Sequence, residues 1–139
     1  MRLGTKLYGD EEYETTKAIR KSVGKVIGGV RLEKNQLYIQ LIDGSELRLR
    51  DEGQSCCEKR HMSTDDDLKY YVGATLLDFE IADGPTERDE YGEPHDQQFL
   101  KVKTSAGVFT CVTHNEHNGY YGGFYVKAAL LGVSAPDDS

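Results

Sequence analysis

Within residues 36–41 and 46–50 aliphatic residues recur at every second position. Leu37, Ile39 and Leu41 fall on one side, and Leu47 and Leu49 alternate with Glu46, Arg48 and Arg50. A period of two marks a half-buried strand, because successive side chains on a strand leave opposite faces. Asp43-Gly44 separates the two runs, and both residues tolerate the positive φ that a tight hairpin turn demands. The pattern predicts a hairpin over about residues 36–50, within a period-two region that starts at Val26. Downstream, Leu77, Phe79 and Ile81 alternate with Asp78 and Glu80. Residues 99–103 and 108–113 flank Ser105-Ala106-Gly107 as a second hairpin, and residues 124–131 supply a last strand.

Two stretches carry helical signals instead. Asp10 can cap a helix over 10–22, with Glu11 and Glu12 in the first turn and Lys17, Arg20 and Lys21 toward the end, the charge order that the helix dipole favours. Thr64 followed by Asp65, Asp66 and Asp67 gives a capped acidic first turn for a second short helix over 64–72, which Gly73 can end. Residues 53–63 and 84–96 read as loops, the latter exposed, with Gly84, Pro85, Gly92 and Pro94 among six charged residues. The tail from Ser134 is expected to be flexible.

The two hairpins echo each other. Each follows a Gly-containing apolar strand and precedes a segment of special residues: Gln54-Ser55-Cys56-Cys57-Glu58 in the first, residues 114–123 in the second. Any two antiparallel hairpins share much of this pattern, so duplication and coincidence both stand. The fold class expected is α+β, mainly antiparallel β, with two hairpin-based half-sheets forming a small sandwich or partly open barrel and helices at about 10–22 and 64–72. With 139 residues, 37% of them hydrophobic, one domain is expected: an N-terminal helical segment (1–23), a β-rich core (24–131) and the tail (132–139).

Charge changes the picture of partners. The net charge of -7 argues against an extensive nucleic-acid surface, which needs clustered Lys and Arg. Ten Lys or Arg against seven acids occupy residues 1–50, and seven against seventeen occupy 51–139. Lys17, Arg20, Lys21 and Lys25 could meet an anion, although a solvated helix face is the simpler reading. No segment approaches the roughly 20 apolar residues of a membrane helix, so a cytoplasmic, membrane-free protein is expected. Three cysteines, two of them adjacent, do not suggest a secreted disulfide framework.

The densest chemistry lies in His114-Asn115-Glu116-His117-Asn118-Gly119-Tyr120-Tyr121-Gly122-Gly123. Glycines expose backbone N–H groups to an anion, tyrosines can stack on a base, and Asn or His can read polar edges. The ligand-binding residues expected are Cys56, Glu58, Arg60, His114, Asn115, Glu116, His117, Asn118, Tyr120 and Tyr121. Arg60 could clamp a carboxylate or phosphate. A competing reading gives His114, Glu116 and His117, with Cys56, Cys57, His61 or His95, to zinc or another divalent metal. The spacing is poor for it, and no cofactor is the expectation. The bland reading has Tyr120, Tyr121, Phe124 and Tyr125 packing the core. Cys56 as a thiol nucleophile needs a histidine beside it, which sequence cannot supply.

The run Ser55-Cys56-Cys57-Glu58-Lys59-Arg60-His61-Met62-Ser63-Thr64-Asp65-Asp66-Asp67-Leu68, then His95, Phe99-Leu100 and residues 114–124, resembles a family of small proteins of tailed bacteriophages and prophages over about residues 24–130. The resemblance implies a phage accessory protein in the host cytoplasm and brings no catalytic residues with it. The function expected is non-enzymatic binding of a small nucleotide-derived ligand, such as a sequestered host defence signal. The alternatives are a metal-dependent phosphoester hydrolase and an acidic protein-interaction module or DNA mimic that inhibits a host protein. Exposed sheet edges would also allow a homodimer.

Overall fold

A computed structural model describes residues 9–33, 36–51, 59–88, 92, 94–116 and 126–132, with side chains for all of these except 9–13, 59, 60 and 85. The elements in chain order are α1 (Gly9–Ser22), β1 (Ile27–Glu33), β2 (Gln36–Leu41), β3 (Glu46–Asp51), β4 (Lys59–Ser63), a 3-10 turn (Leu68–Tyr71), β5 (Leu76–Arg88), β6 (Pro94–Thr104), β7 (Gly107–Glu116) and β8 (Val126–Leu131).

The strands form two four-stranded antiparallel sheets, ordered β1-β2-β3-β8 and β4-β7-β6-β5. The expected sandwich of two hairpin-based sheets is what the chain builds, and no barrel closes. One continuous apolar core joins the inner faces, including Leu37, Ile39, Leu47 and Leu49 from one sheet and Phe79, Leu100, Val102 and Phe109 from the other. These side chains come from alternate positions, so the period-two pattern translates directly into burial. At one end the sheets are tied by main chain: Ile27 N–H donates to Ala74 O at 2.8 Å and Leu76 N–H to Lys25 O at 2.9 Å.

The fourth strand of each sheet is exchanged. After the β2-β3 hairpin the chain crosses to the other sheet, where β4 pairs with β7; after the β6-β7 hairpin it crosses back, where β8 pairs with β3. The echo seen in the sequence therefore corresponds to a reciprocal arrangement. The outer edge of β8 is covered by α1, whose Thr15 hydroxyl accepts the Ala128 N–H at 3.2 Å. Ile19 of the same helix is fully buried. Covering that edge removes a row of backbone groups that could template pairing with another chain.

Four local expectations change. The Asp43-Gly44 turn is a four-residue connection, 42–45, closed by the Asp43 carboxylate accepting the Ser45 N–H at 2.9 Å. Lys25 Nζ, 2.7 Å from the same side chain, helps hold that carboxyl below its usual range, together with the Ser45 bonds. The 64–72 helix shortens to one 3-10 turn capped by Asp67, because Thr64 and Asp66 are drawn away to β7. Part of the 53–63 loop is strand β4. Most of the 84–96 loop is also strand: β5 continues to Arg88 through a register shift between Asp83 and Thr86. A bulge there accommodates Pro85, which cannot donate to a ladder. Gly84 fits because a Cβ would come within 3.1 Å of Gln97 and Phe99. The Asp10 cap and the tail from 133 lie outside the described residues and side chains.

Candidate functional site

β4 is a poor strand by composition, yet its register decides what the outer face of the second sheet presents. Met62 turns into the core, so His61 and Ser63 face outward. On β7, Phe109, Cys111, Thr113 and Asn115 are buried, so Thr110, Val112, His114 and Glu116 face the same way as His61. β6 contributes His95 and Gln97 from its outward positions. The pairs His61↔His114 and Gln97↔His114 place His114 at the centre, with Ser63 and His95 diagonal to it on the flanking strands.

The side chains meet there. The His61 and His114 rings stack with centroids 4.3 Å apart and planes 6° from parallel. His95 leans on His114 from the other side at 5.0 Å. Ser63 Oγ lies 2.7 Å from His114 Nε2, and His95 Nε2 lies 2.9 Å from His114 Nδ1. Both ring nitrogens of His114 are thus engaged. Burial holds the His114 pKa below the ordinary histidine value, reinforced by the His61 and His95 charges and opposed by Glu116 and Glu87. His114 is accordingly neutral at pH 7.

Thr64 and Asp66 anchor the strand end that carries Ser63. Thr64 Oγ1 donates to Thr110 O at 2.7 Å, and Asp66 Oδ2 accepts the Thr110 N–H at 2.7 Å. Two side chains thereby continue the β4-β7 ladder one step beyond the backbone pair Ser63↔Val112.

Of the residues expected to bind ligand, His114 is at the centre of this face and Glu116 sits exposed at its rim. Asn115 is fully buried on the opposite side of β7, since the first part of the presumed loop is strand and its side chains alternate. Arg60 pairs with Asn115 in β4, and its side chain lies outside the described ones. Cys56, Glu58, His117, Asn118, Tyr120 and Tyr121 lie outside the described residues, as do Cys57, Phe124 and Tyr125. Cys111 is a core thiol pushed up to about 12 by burial and, secondarily, by Asp66. Among the described residues, no group of three or more His, Cys, Asp or Glu side chains has a geometry that could hold a metal ion.

The described residues flanking the two special segments are neighbours. Asp51 pairs with Val126, and Lys59 pairs with Glu116. Residues 52–58 and 117–125 therefore join the same two points of the fold. Buried polar residues gather toward that end, with Asp51, Gln98, Thr113 and Asn115 all shielded from solvent. Sequence reasoning named His61 and His95 only as spare metal ligands and missed Ser63. An alternation test across Lys59–Ser63, with Met62 as its one apolar position, is the signal that could have found it.

The family whose pattern matches residues 20–126 is described as "Domain of unknown function (DUF7448)". No curated protein and no solved structure matches the chain. No helix among the described residues is long and apolar enough to cross a membrane.

Proposed function

We propose, for a chain that belongs to the DUF7448 family, that the protein binds a small nucleotide-derived ligand at the imidazole face of His61, His95 and His114. One observation carries the reading: three imidazoles converge on one surface beside the strand ends where both sequence-flagged segments are anchored. A flat aromatic surface with ring nitrogens at its edge suits a nucleobase, which gains from stacking and from hydrogen bonds to its polar rim. Cys56, Glu58, Arg60, Glu116, His117, Asn118, Tyr120 and Tyr121, expected from the sequence to contact the ligand, belong to the same proposal.

The phage resemblance gives the reading its setting. In it the chain is an accessory protein of a tailed phage or prophage, acting in the host cytoplasm, and its ligand is a host defence signal held out of circulation. The neutral state of His114 adds a chemical signature. An anionic ligand stabilises the imidazolium, so binding is expected to take up protons and to tighten as pH falls from 8 toward 6.

Titration calorimetry with a panel of cyclic nucleotides and ADP-ribose derivatives tests the proposal. Repeating each titration in two buffers of different ionisation enthalpy reads the proton uptake. Saturable binding that His61→Ala weakens at least tenfold supports it. A panel without binding sinks it.

A further inference from the structure

The contacts of His114 have a direction that stacking alone does not require. Its Nε2 meets a hydroxyl, Ser63 Oγ, at 2.7 Å, and its Nδ1 meets a third side chain, His95 Nε2, at 2.9 Å. Two tautomer chains fit these contacts, and in the one that activates the hydroxyl Ser63 O–H donates to His114 Nε2, His114 Nδ1–H donates to His95 Nε2, and His95 carries its own proton on Nδ1. A hydroxyl on one ring nitrogen and an orienting acceptor on the other is the arrangement by which a histidine turns a serine into a nucleophile. We propose that Ser63, His114 and His95 form a nucleophile, general base and positioning residue for acyl transfer from a small, uncharged ester to water.

The framework holds these groups as a relay requires. Each sits on a different strand of one sheet, β4, β7 and β6, in diagonal register across the outer face. Ser63 is pinned from its C-terminal side by the Thr64 and Asp66 bonds to Thr110. Rigid strands place reacting atoms more tightly than loops can. The relay accepts a proton because His114 is neutral at pH 7. The titratable groups facing it are His61 on β4, His95 on β6, Glu116 on β7 and Glu87 on β5, and the two carboxylates favour the imidazolium once it forms. An uncharged ester is the class assigned, because acyl transfer through this relay needs no counter-charge on the substrate.

The steps balance without any group beyond substrate and water. Ser63 Oγ bonds to the ester carbonyl carbon while its proton passes to His114 Nε2. The bond from carbon to the leaving oxygen breaks, and that oxygen takes the proton from His114, leaving acyl-Ser63 and an alcohol. Water then adds to the acyl carbon with His114 as base, and the bond to Ser63 Oγ breaks. The carboxylic acid departs and Oγ regains the proton. His95 keeps the Nδ1–H bond throughout and touches no substrate.

This inference stands apart from nucleotide binding, and the tests separate the two. The full chain is incubated with p-nitrophenyl acetate, quenched in acid and mapped by peptide mass spectrometry, while p-nitrophenolate release is followed by absorbance. An acetyl group on Ser63 is expected, lost in Ser63→Ala and reduced about 100-fold in His114→Gln, the scale of general-base catalysis. Ser63→Ala should still bind whichever nucleotide the calorimetric panel identifies. For His95, His95→Phe should slow acylation and move its pH midpoint, whereas His95→Asn, whose amide oxygen can accept the Nδ1–H, should restore the rate to within about tenfold. Circular dichroism verifies the fold of each variant. If His114→Gln does not fold, the wild-type pH profile decides, since the relay requires a single titration and a plateau. Folded wild-type protein without acetyl-Ser63, label undiminished in folded His114→Gln, or a rate that rises with hydroxide across the whole range would each overturn the proposal.

Discussion

Asp66 reaches across to the N–H of Thr110, with 2.7 Å between Oδ2 and the amide nitrogen, and so finishes by side chain a ladder that the backbone leaves at Ser63. The contact converts an acidic run that looks like a helix start into a strand clamp. Thr64, next to Ser63, is held by its own hydroxyl donating to Thr110 O.

Removing the clamp should loosen β4 without dismantling the sandwich. Asp66→Ala is expected to cost about 1 kcal/mol, the net value of one exposed hydrogen bond to a charged acceptor after competition with water. Urea unfolding should show a lower midpoint with unchanged slope. The Thr110 amide should exchange faster in the variant, and unaltered protection there would contradict the assignment.

The Thr15 hydroxyl contributes a hydrogen bond to the junction of helix and sheet. Thr15 is buried and accepts the Ala128 N–H, so Thr15→Val keeps the shape and removes the acceptor. A buried donor left without a partner costs about 1–3 kcal/mol. Chemical denaturation measures this, and a variant as stable as wild type would show that the edge of β8 finds another acceptor.

Acid should weaken the fold through His114. Its folded pKa is depressed, chiefly by burial, so near and below the ordinary value of about 6.5 the unfolded chain takes up a proton that the folded chain resists. Its contribution is complete above the unfolded pKa and is lost as pH falls toward and through the folded one. Unfolding free energies from pH 7.5 to 5 should therefore decline less steeply in His114→Gln than in wild type. Parallel profiles would argue that the imidazole stack tolerates its charge.

Cys111 should be inert while the protein is folded. Its thiol is fully buried and raised to about 12, so the reactive thiolate is scarce and unreachable. Iodoacetamide followed by peptide mapping should label Cys111 only in denaturant, at the rate of global unfolding. Rapid labelling in buffer would mean that the sheets open locally.

Legibility differed between core and site for a physical reason. Leu37, Ile39, Leu47 and Leu49 announced themselves because a half-buried strand writes its burial into alternate positions, and that correlation is local. Lys59–Ser63 did not, because an edge strand with one buried residue, Met62, carries almost no hydrophobic signal. Gly84-Pro85 looks like the end of a strand, whereas a bulge carries β5 past it. The polarity of residues 114–116 suggests an exposed loop. In the fold Asn115 is buried and His114 shares a face with residues 51 and 53 positions before it.

By itself, then, the chain determined its antiparallel hairpins, its sandwich class and its first helix, all of which follow from neighbours in sequence and the faces they share. The tertiary structure decided the exchange of β4 and β8 between sheets, and with it the meeting of Ser63, His61 and His95 around His114. Those encounters depend on strand order and register, which arise when two sheets bury a common core. No local pattern encodes which distant residue will stand diagonally across a strand.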